Sequence, residues 1–220
     1  MDSIKNNLDD IKKTLPEGVT LIAVSKTKPN EAVLEAYACG IRDFGENKVQ
    51  DLALKYEALP KDIRWHFIGS LQTNKVRKLI GKTFLIQSLD RINLADEINK
   101  VASRKNIVVD ALIEVNIGEE ENKSGILMKD LAEFIDYLKN LEHIRIKGLM
   151  AIIPQGDEDQ NRDYFRQMKE VFMELKQKEN HRFHMEILSM GMSKDYLSAI
   201  EEGSNMVRIG TGIFGTRSIK

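Results

Sequence analysis

The sequence predicts an α/β fold, a single (β/α)8 barrel preceded by an extra N-terminal helix. Eight short apolar segments typical of buried strands alternate with segments whose apolar residues recur at helical spacing. Strands that alternate with helices form parallel sheets, and eight such units within 220 residues match the usual count and length of this barrel. A doubly wound open sheet is the alternative, but residues 25–29 lack the glycine-rich first turn that marks it.

Helices are predicted where apolar residues share one face and where glycine or proline marks the end. The first covers residues 3–14 and ends before Pro16. Asp90 is predicted to be the N-cap of the helix that begins at Arg91. The later helices are predicted over residues 30–38, 48–58, 73–80, 91–102, 128–141, 160–179 and 194–202.

Strands are predicted where apolar and β-branched residues form short runs bounded by glycine, proline or polar residues. The first strand runs from Val19 to Lys26. The others are predicted over residues 41–47, 63–69, 83–89, 108–117, 144–150, 186–189 and 206–210. No linker or change of composition divides the chain, so residues 1–220 are expected to form one domain.

Composition and charge narrow the possible functions. Lys and Arg together number 33 against 34 Asp and Glu, and the net charge of −1 argues against general attraction to nucleic acid or anionic membranes. The single cysteine, Cys39, excludes an internal disulfide framework. The N-terminus is polar and no apolar run is long enough to span a bilayer, so we expect a cytoplasmic protein. A monomer is also expected.

The first strand ends on a lysine, Lys26. Because side chains alternate between the two faces of a strand, Lys26 shares a face with Ile22 and Val24. An ammonium group at the end of an apolar face is costly to desolvate, which is expected to lower its pKa. Such a lysine is suited to forming a Schiff base with a carbonyl compound. On this segment alone, a lysine that extends into solvent is the simpler interpretation.

Small and polar residues gather at the carboxyl ends of the predicted strands, where barrels carry their chemistry. The last two strands lead into Leu188-Ser-Met-Gly-Met-Ser193 and Arg208-Ile-Gly-Thr-Gly212. Glycine lets the backbone approach a ligand closely, and hydroxyl and amide N–H groups donate hydrogen bonds to anions. Ordinary strand-to-helix turns would explain either loop alone. The two loops together stand where barrels often bind phosphate, which favours a phosphate site.

Arg208 lies on the same strand face as Met206 and Gly210. An arginine directed into a barrel mouth needs an anion or acceptor as its partner. A Schiff-base lysine, a phosphate site and a buried cation together suggest a phosphorylated aldehyde. Pyridoxal 5′-phosphate (PLP) is the common cofactor of that description. An arginine beside its pyridine nitrogen would keep the ring unprotonated and weaken it as an electron sink.

Seven motifs, in order along almost the whole chain, carry a family resemblance. They are Ala23-Val-Ser-Lys-Thr-Lys-Pro29, Phe44-Gly-Glu-Asn47, Trp65-His-Phe-Ile-Gly69, Asn122-Lys-Ser-Gly125, Gly148-Leu-Met150, Leu188-Ser-Met-Gly-Met-Ser193 and Val207-Arg-Ile-Gly-Thr211. On these residues the chain resembles the pyridoxal phosphate homeostasis proteins, relatives of the barrel domain of alanine racemase. Gly212 departs from the family pattern, in which alanine is usual, and this is expected to loosen the phosphate loop.

The resemblance implies a role for eight residues, all of them in contact with PLP. Lys26 would form the Schiff base, and Arg208 would lie near the pyridine nitrogen. Six further residues would complete the site: Ser189, Ser193, Gly210 and Thr211 around the phosphate, with Asn47 and Met192 lining the pocket.

The function implied by the resemblance is intracellular PLP homeostasis, by a carrier or regulator without efficient catalysis that serves PLP-dependent apo-enzymes. Two alternatives remain open, a racemase-like PLP enzyme and a Schiff-base aldolase acting on a sugar phosphate. The aldolase would favour an acid or base beside its lysine, and no carboxylate lies within a few residues of Lys26. The related racemases use a tyrosine from a second domain, and no second domain is expected here.

Other signals are weaker. His66 lies between Trp65 and Phe67 and is interpreted as a hydrogen-bonded core histidine rather than a base. His181 and His184 have no cysteine or acidic partner at metal spacing, so no metal site is predicted.

Overall fold

The computed structural model describes residues 3–216 and confirms the predicted closed barrel. All eight strands are parallel and follow one another in sequence order, and the last pairs with the first to close the barrel. The strands are β1 (Thr20–Val24), β2 (Asp43–Glu46), β3 (Arg64–Phe67), β4 (Leu85–Leu89), β5 (Val109–Val115), β6 (Ile144–Ala151), β7 (Phe183–Met192) and β8 (Met206–Ile209).

A helix follows each strand, and an additional helix precedes the first strand, as predicted. The hydroxyl of Ser3 caps this first helix by accepting a hydrogen bond from the Asn6 N–H. The helices are α1 (Ile4–Thr14), α2 (Asn30–Ala38), α3 (Val49–Ala58), α4 (Val76–Leu79), α5 (Ile92–Arg104), α6 (Leu131–Leu138), α7 (Glu158–Lys176), α8 (Tyr196–Glu201) and α9 (Thr211–Phe214).

Most elements begin or end a few residues from the predicted positions, and β1 ends at Val24 rather than at Lys26. Three further details differ from the sequence prediction. The predicted N-cap at Asp90 is wrong, because Arg91 occupies that position and the carboxylate of Asp90 pairs with its guanidinium instead. Strand β7 is longer than predicted, since the polar residues at its exposed positions interrupt the apolar run. Helix α9 was not predicted, because a helix of four residues is too short to show periodicity.

Two apolar cores hold the barrel together. The larger one lies between the strands and the surrounding helices, and Trp65 and Phe44 pack within it at a ring separation of 5.8 Å. The smaller core fills the barrel interior with Ile22, Val24, Leu85, Leu112, Met150 and Met206. Ile22 and Val24 therefore share the inner face of β1, as the alternation along that strand predicted.

Ion pairs join two pairs of neighbouring strands at their amino-terminal ends. The Arg145 Nε lies 2.6 Å from the Asp110 carboxylate. The Nε and Nη2 of Arg64 donate to the two carboxylate oxygens of Asp43. These bidentate pairs join neighbouring strands, β5 with β6 and β2 with β3.

Among the described helices, none is long and apolar enough to cross a membrane.

Candidate functional site

A cavity of about 710 Å³ opens at the carboxyl ends of the strands. Seven of the eight site residues predicted from the sequence line this cavity: Lys26, Asn47, Met192, Ser193, Arg208, Gly210 and Thr211. The strands thus bring together residues that are up to 185 positions apart in the chain, because parallel strands in a barrel end at one mouth.

Lys26 is placed by a tight turn directly after β1. The Lys28 N–H donates to the Ser25 carbonyl over 3.0 Å, and Thr27 between them has a φ of +65°. Left-handed backbone is unusual for a β-branched residue and is typically maintained only where surrounding contacts impose it. The Lys28 ammonium donates to the Phe214 carbonyl over 2.9 Å, whereas the side chain of Lys26 is half-buried in the cavity wall.

A buried ion pair behind the strand fixes the residue that precedes Lys26. The Lys55 Nζ lies 2.6 Å from the Glu46 Oε1 and also donates to the Ser25 carbonyl over 2.8 Å. The Ser25 hydroxyl donates to the same Glu46 oxygen over 2.7 Å. Glu46 is fully buried, so its charge needs these donors. We refer to Ser25, Glu46 and Lys55 as the anchor cluster, since it holds the end of β1 from outside the barrel.

The loops after β7 and β8 are tied together by one hydroxyl. The Ser193 Oγ accepts hydrogen bonds from the backbone N–H groups of Gly210, over 3.3 Å, and Gly212, over 3.2 Å. The Asp195 carboxylate accepts from the Met192 N–H over 2.6 Å and so shapes the first of these loops. Two backbone donors and a hydroxyl therefore converge at one side of the cavity, an arrangement suited to an anion.

Arg208 lies at the inner wall of the cavity and is only 4% exposed. Its Nη1 donates to the Ser189 hydroxyl over 2.7 Å, and its Nη2 donates to the Ala151 carbonyl over 2.8 Å. Burial lowers the pKa of Arg208 to about 10, against the opposing effect of Glu114 and Asp195. The guanidinium therefore remains a cation at neutral pH, with further N–H groups for a ligand.

Ser189, the eighth predicted residue, lies beneath Arg208 rather than beside Ser193. It is fully buried on β7, and its hydroxyl lies 2.7 Å from the Gln87 Oε1 on the opposite side from Arg208. The Ser189 hydroxyl therefore donates to Gln87 and accepts from Arg208. Its contact with the cavity in this structure is through Arg208, and its contact with a phosphate stays a prediction.

Glu114 is a cavity residue that sequence reasoning missed. It lies on β5, lines the cavity and is only 6% exposed. Burial, together with the charge of Asp90, raises its pKa to about 7, although Arg208 and Arg91 oppose the shift. A glutamate in the otherwise apolar run Ala111–Val115 was the signal available in the sequence.

The comparisons with known proteins agree with this geometry. A family model described as alanine racemase, N-terminal domain, matches residues 1–218. The pyridoxal phosphate homeostasis protein of Aquifex aeolicus strain VF5 is 50% identical over 199 residues, which cover 90% of this chain and 86% of the relative. The chain belongs to the pyridoxal phosphate homeostasis protein family. The member from Escherichia coli K12 is 38% identical and is matched over 99% of this chain and 98% of its own length.

Solved structures place this family member among barrels of the same shape. PipY of Synechococcus elongatus PCC7942, solved with PLP bound, superimposes with a TM-score of 0.88 at 35% identity and covers 97% of this chain and 100% of PipY. Alanine racemase from Corynebacterium glutamicum shares the fold, with a TM-score of 0.77 at 16% identity. This chain matches 61% of the racemase chain.

No group of three or more His, Cys, Asp and Glu side chains within residues 3–216 is arranged to hold a metal ion. His66, which the sequence analysis interpreted as a core histidine, is fully buried with both ring nitrogens in hydrogen bonds, as expected.

Glu114→Gln is expected to stabilise the protein at pH 8 and to change its stability little at pH 5. Between the ordinary glutamate pKa of 4.5 and the folded value of about 7, the folded state binds a proton that the unfolded chain has released. The free energy of unfolding therefore falls as pH rises through this window, by roughly 3–4 kcal/mol in total. Glutamine carries no charge at either pH, so the free energy of unfolding of Glu114→Gln does not fall in this way as the pH rises.

Urea unfolding of the two proteins at pH 5 and pH 8 measures this difference. Glu170→Gln on the exposed face of α7 is a matched control and should show no such pH dependence. An equal effect of Glu114→Gln at both pH values would contradict the raised pKa.

Proposed function

We propose that this protein binds PLP as a Schiff base on Lys26 and acts in intracellular PLP homeostasis. The observation that carries the proposal is the convergence of Lys26, Arg208 and the loops tied by Ser193 on one cavity. Family membership supports it, as does the relative PipY, which was solved with PLP bound. In this role the chain is a single-domain, cytoplasmic monomer that exchanges PLP with PLP-dependent apo-enzymes.

The residues of the cavity fit the chemical groups of PLP. When bound, PLP supplies an aldehyde that condenses with an amine, a phosphate dianion and a pyridine nitrogen that accepts a hydrogen bond. Lys26 offers the amine, and the N–H groups of Gly210 and Gly212 offer donors for the phosphate together with the Ser193 and Thr211 hydroxyls. Arg208 offers N–H donors from a permanent cation.

Arg208 favours storage over catalysis. A guanidinium beside the pyridine nitrogen donates a hydrogen bond but keeps its proton, because its pKa of about 10 lies well above neutral pH. The ring then stays unprotonated and withdraws electrons poorly, which weakens the chemistry that PLP enzymes depend on. We infer that Arg208 holds the cofactor in a form of low reactivity.

The tyrosines also favour a carrier over a racemase. None of the five tyrosines lines the cavity, and all of them lie on helices. Three have their hydroxyls in hydrogen bonds on the outside of the barrel: Tyr37 with Asp62, Tyr137 with Asp96, and Tyr196 with Thr14. Within the described residues, no tyrosine is in place to move a proton on the face of a substrate opposite Lys26.

Loading and exchange measurements test the proposed function. Purified protein is titrated with PLP while the absorbance of the bound cofactor is followed, and the loaded protein is then incubated with L-alanine in heavy water. We expect saturable loading and Cα deuterium exchange close to that of free PLP, far below enzyme turnover on the order of 1 s⁻¹. Rapid exchange with formation of D-alanine would establish a racemase, and failure to load would refute the carrier function.

A further inference from the structure

A continuous line of buried hydrogen bonds runs down the barrel from the cavity to its amino-terminal end. It begins at Arg208, whose Nη1 lies 2.7 Å from the Ser189 Oγ, and continues over 2.7 Å to the Gln87 Oε1. The Gln87 Nε2 lies 3.1 Å from the His66 Nδ1, and the His66 Nε2 lies 3.0 Å from the Asp43 Oδ1. Ser189, Gln87 and His66 are fully buried.

The lower end of this line fixes the position of one proton. Burial alone would raise the pKa of Asp43, but hydrogen bonds from His66 and Arg64 outweigh it and leave that pKa lowered. Asp43 is therefore a carboxylate, which can only accept, so the His66 Nε2 carries a proton. Burial lowers the pKa of His66, which keeps the ring neutral and leaves its Nδ1 without a proton.

The direction of every other bond in the line follows. The His66 Nδ1 accepts from the Gln87 Nε2, whose second hydrogen points to the Met206 sulfur over 3.3 Å. The Gln87 Oε1 then faces Ser189 as an acceptor and takes the hydroxyl hydrogen. With its hydrogen committed, the Ser189 oxygen has only lone pairs to offer Arg208. Every N–H or O–H group in the line therefore donates toward Asp43. Each acceptor is oriented by the next hydrogen bond of its own side chain on the Asp43 side.

We propose that Gln87 and His66 are positioning residues for Arg208, which they orient toward the pyridine nitrogen of PLP through Ser189. The proposal rests on the proposed function. Without the acceptor on Gln87, the Ser189 hydroxyl still accepts from Arg208, but its own hydrogen has no buried acceptor and its orientation is no longer fixed, so Arg208 is held less rigidly. Buried polar lines of this kind specify one geometry only when every member is satisfied.

Two substitutions at Gln87 separate positioning from simple packing. Gln87→Leu removes the acceptor for Ser189, whereas Gln87→Glu keeps it. The carboxylate of the second variant also accepts from a protonated His66, so Arg208 stays in place. We expect PLP to bind Gln87→Leu roughly tenfold more weakly, the lower end of what loss of a supporting partner costs at metal sites, with a shifted absorbance spectrum. Gln87→Glu should bind PLP with the affinity and spectrum of the wild type.

If Gln87 only fills space in the core, the PLP affinities of the two variants should follow the opposite order. A leucine suits a buried position, while a buried glutamate is costly, so Gln87→Glu would then be the more damaged variant. Ser88→Ala is the matched control on the same strand, because the Ser88 hydroxyl is buried without a partner in the described structure. Wild-type affinity and spectrum are expected for this control.

A second measurement needs no cofactor. Nitrogen-15 NMR of labelled histidine should find the proton of His66 on Nε2 in the wild type and protons on both ring nitrogens in Gln87→Glu. His66→Phe assigns the resonance among the four histidines. If Gln87→Leu fails to fold, the PLP affinity and spectrum of Gln87→Glu still decide between the two roles, since a merely structural role predicts that this variant is damaged.

The outcomes separate the two proposals. A wild-type protein that does not load PLP refutes the proposed function, whatever the His66 signal shows. Normal loading of the wild type together with an unchanged affinity and spectrum in Gln87→Leu overturns the positioning role. A wild-type His66 protonated on Nδ1 overturns it as well.

Discussion

Replacing Lys26 by alanine is expected to abolish covalent attachment of PLP and to leave the protein folded. Lys26 is the cavity lysine at the end of β1, and its half-buried side chain takes no part in the anchor cluster. Substitutions at such positions usually change the free energy of unfolding by less than about 0.5 kcal/mol. Borohydride reduction of the loaded wild type, followed by peptide mass mapping, should find the pyridoxyl group on Lys26, and the variant should carry none there.

Lys28→Ala provides the control for this experiment. Lys28 is two residues away, but its ammonium donates to the carbonyls of Phe214 and Gly215 and is not free to react. This variant should keep the label on Lys26. A label that persists in Lys26→Ala at wild-type level, for example on Lys123 at the other side of the cavity, would show that the attachment site is misassigned.

Lys55→Met is expected to lower the free energy of unfolding by about 3–5 kcal/mol, the usual cost of removing one partner of a buried ion pair. The substitution leaves the carboxylate of Glu46, which is fully buried, with the Ser25 hydroxyl as its remaining donor. It also frees the Ser25 carbonyl, to which Lys55 donates. Urea unfolding followed by circular dichroism measures the loss.

The double variant Glu46→Gln/Lys55→Met is the decisive comparison. Glutamine removes the buried charge and still accepts from Ser25, so most of the lost stability should return. If the double variant is as unstable as Lys55→Met, then lost packing of the lysine stem, rather than the orphaned charge of Glu46, explains the effect.

The sequence was sufficient for the barrel and for the mouth of the cavity. Strand alternation placed Ile22 and Val24 on one face, which the interior core confirms, whereas Lys26 reaches the cavity from the turn after β1. The positions of Ser193 and Gly210 followed from their loops, since barrel topology alone brings the ends of β7 and β8 together.

The buried polar contacts could not be predicted, because they join residues from distant segments. Gln87 meets Ser189 across 102 residues, and nothing local to either residue indicates the other. Lys55 appeared as one of many helix lysines, and only the packing of α3 behind β2 places it against Glu46. Ser189 was grouped with Ser193 around the phosphate, and nothing local to it indicated its hydrogen bonds to Gln87 and Arg208.

The double acceptor role of Ser193 has a consequence for release. Its hydroxyl occupies the N–H groups of Gly210 and Gly212 that the phosphate of PLP takes in the proposed function, where ligand entry would replace one acceptor by another. Each intramolecular hydrogen bond contributes about 0.5–1.5 kcal/mol net, and that contribution is given up on loading and recovered on unloading. The two occupancy states are thereby brought closer in free energy, which suits a reversible store better than a permanent trap.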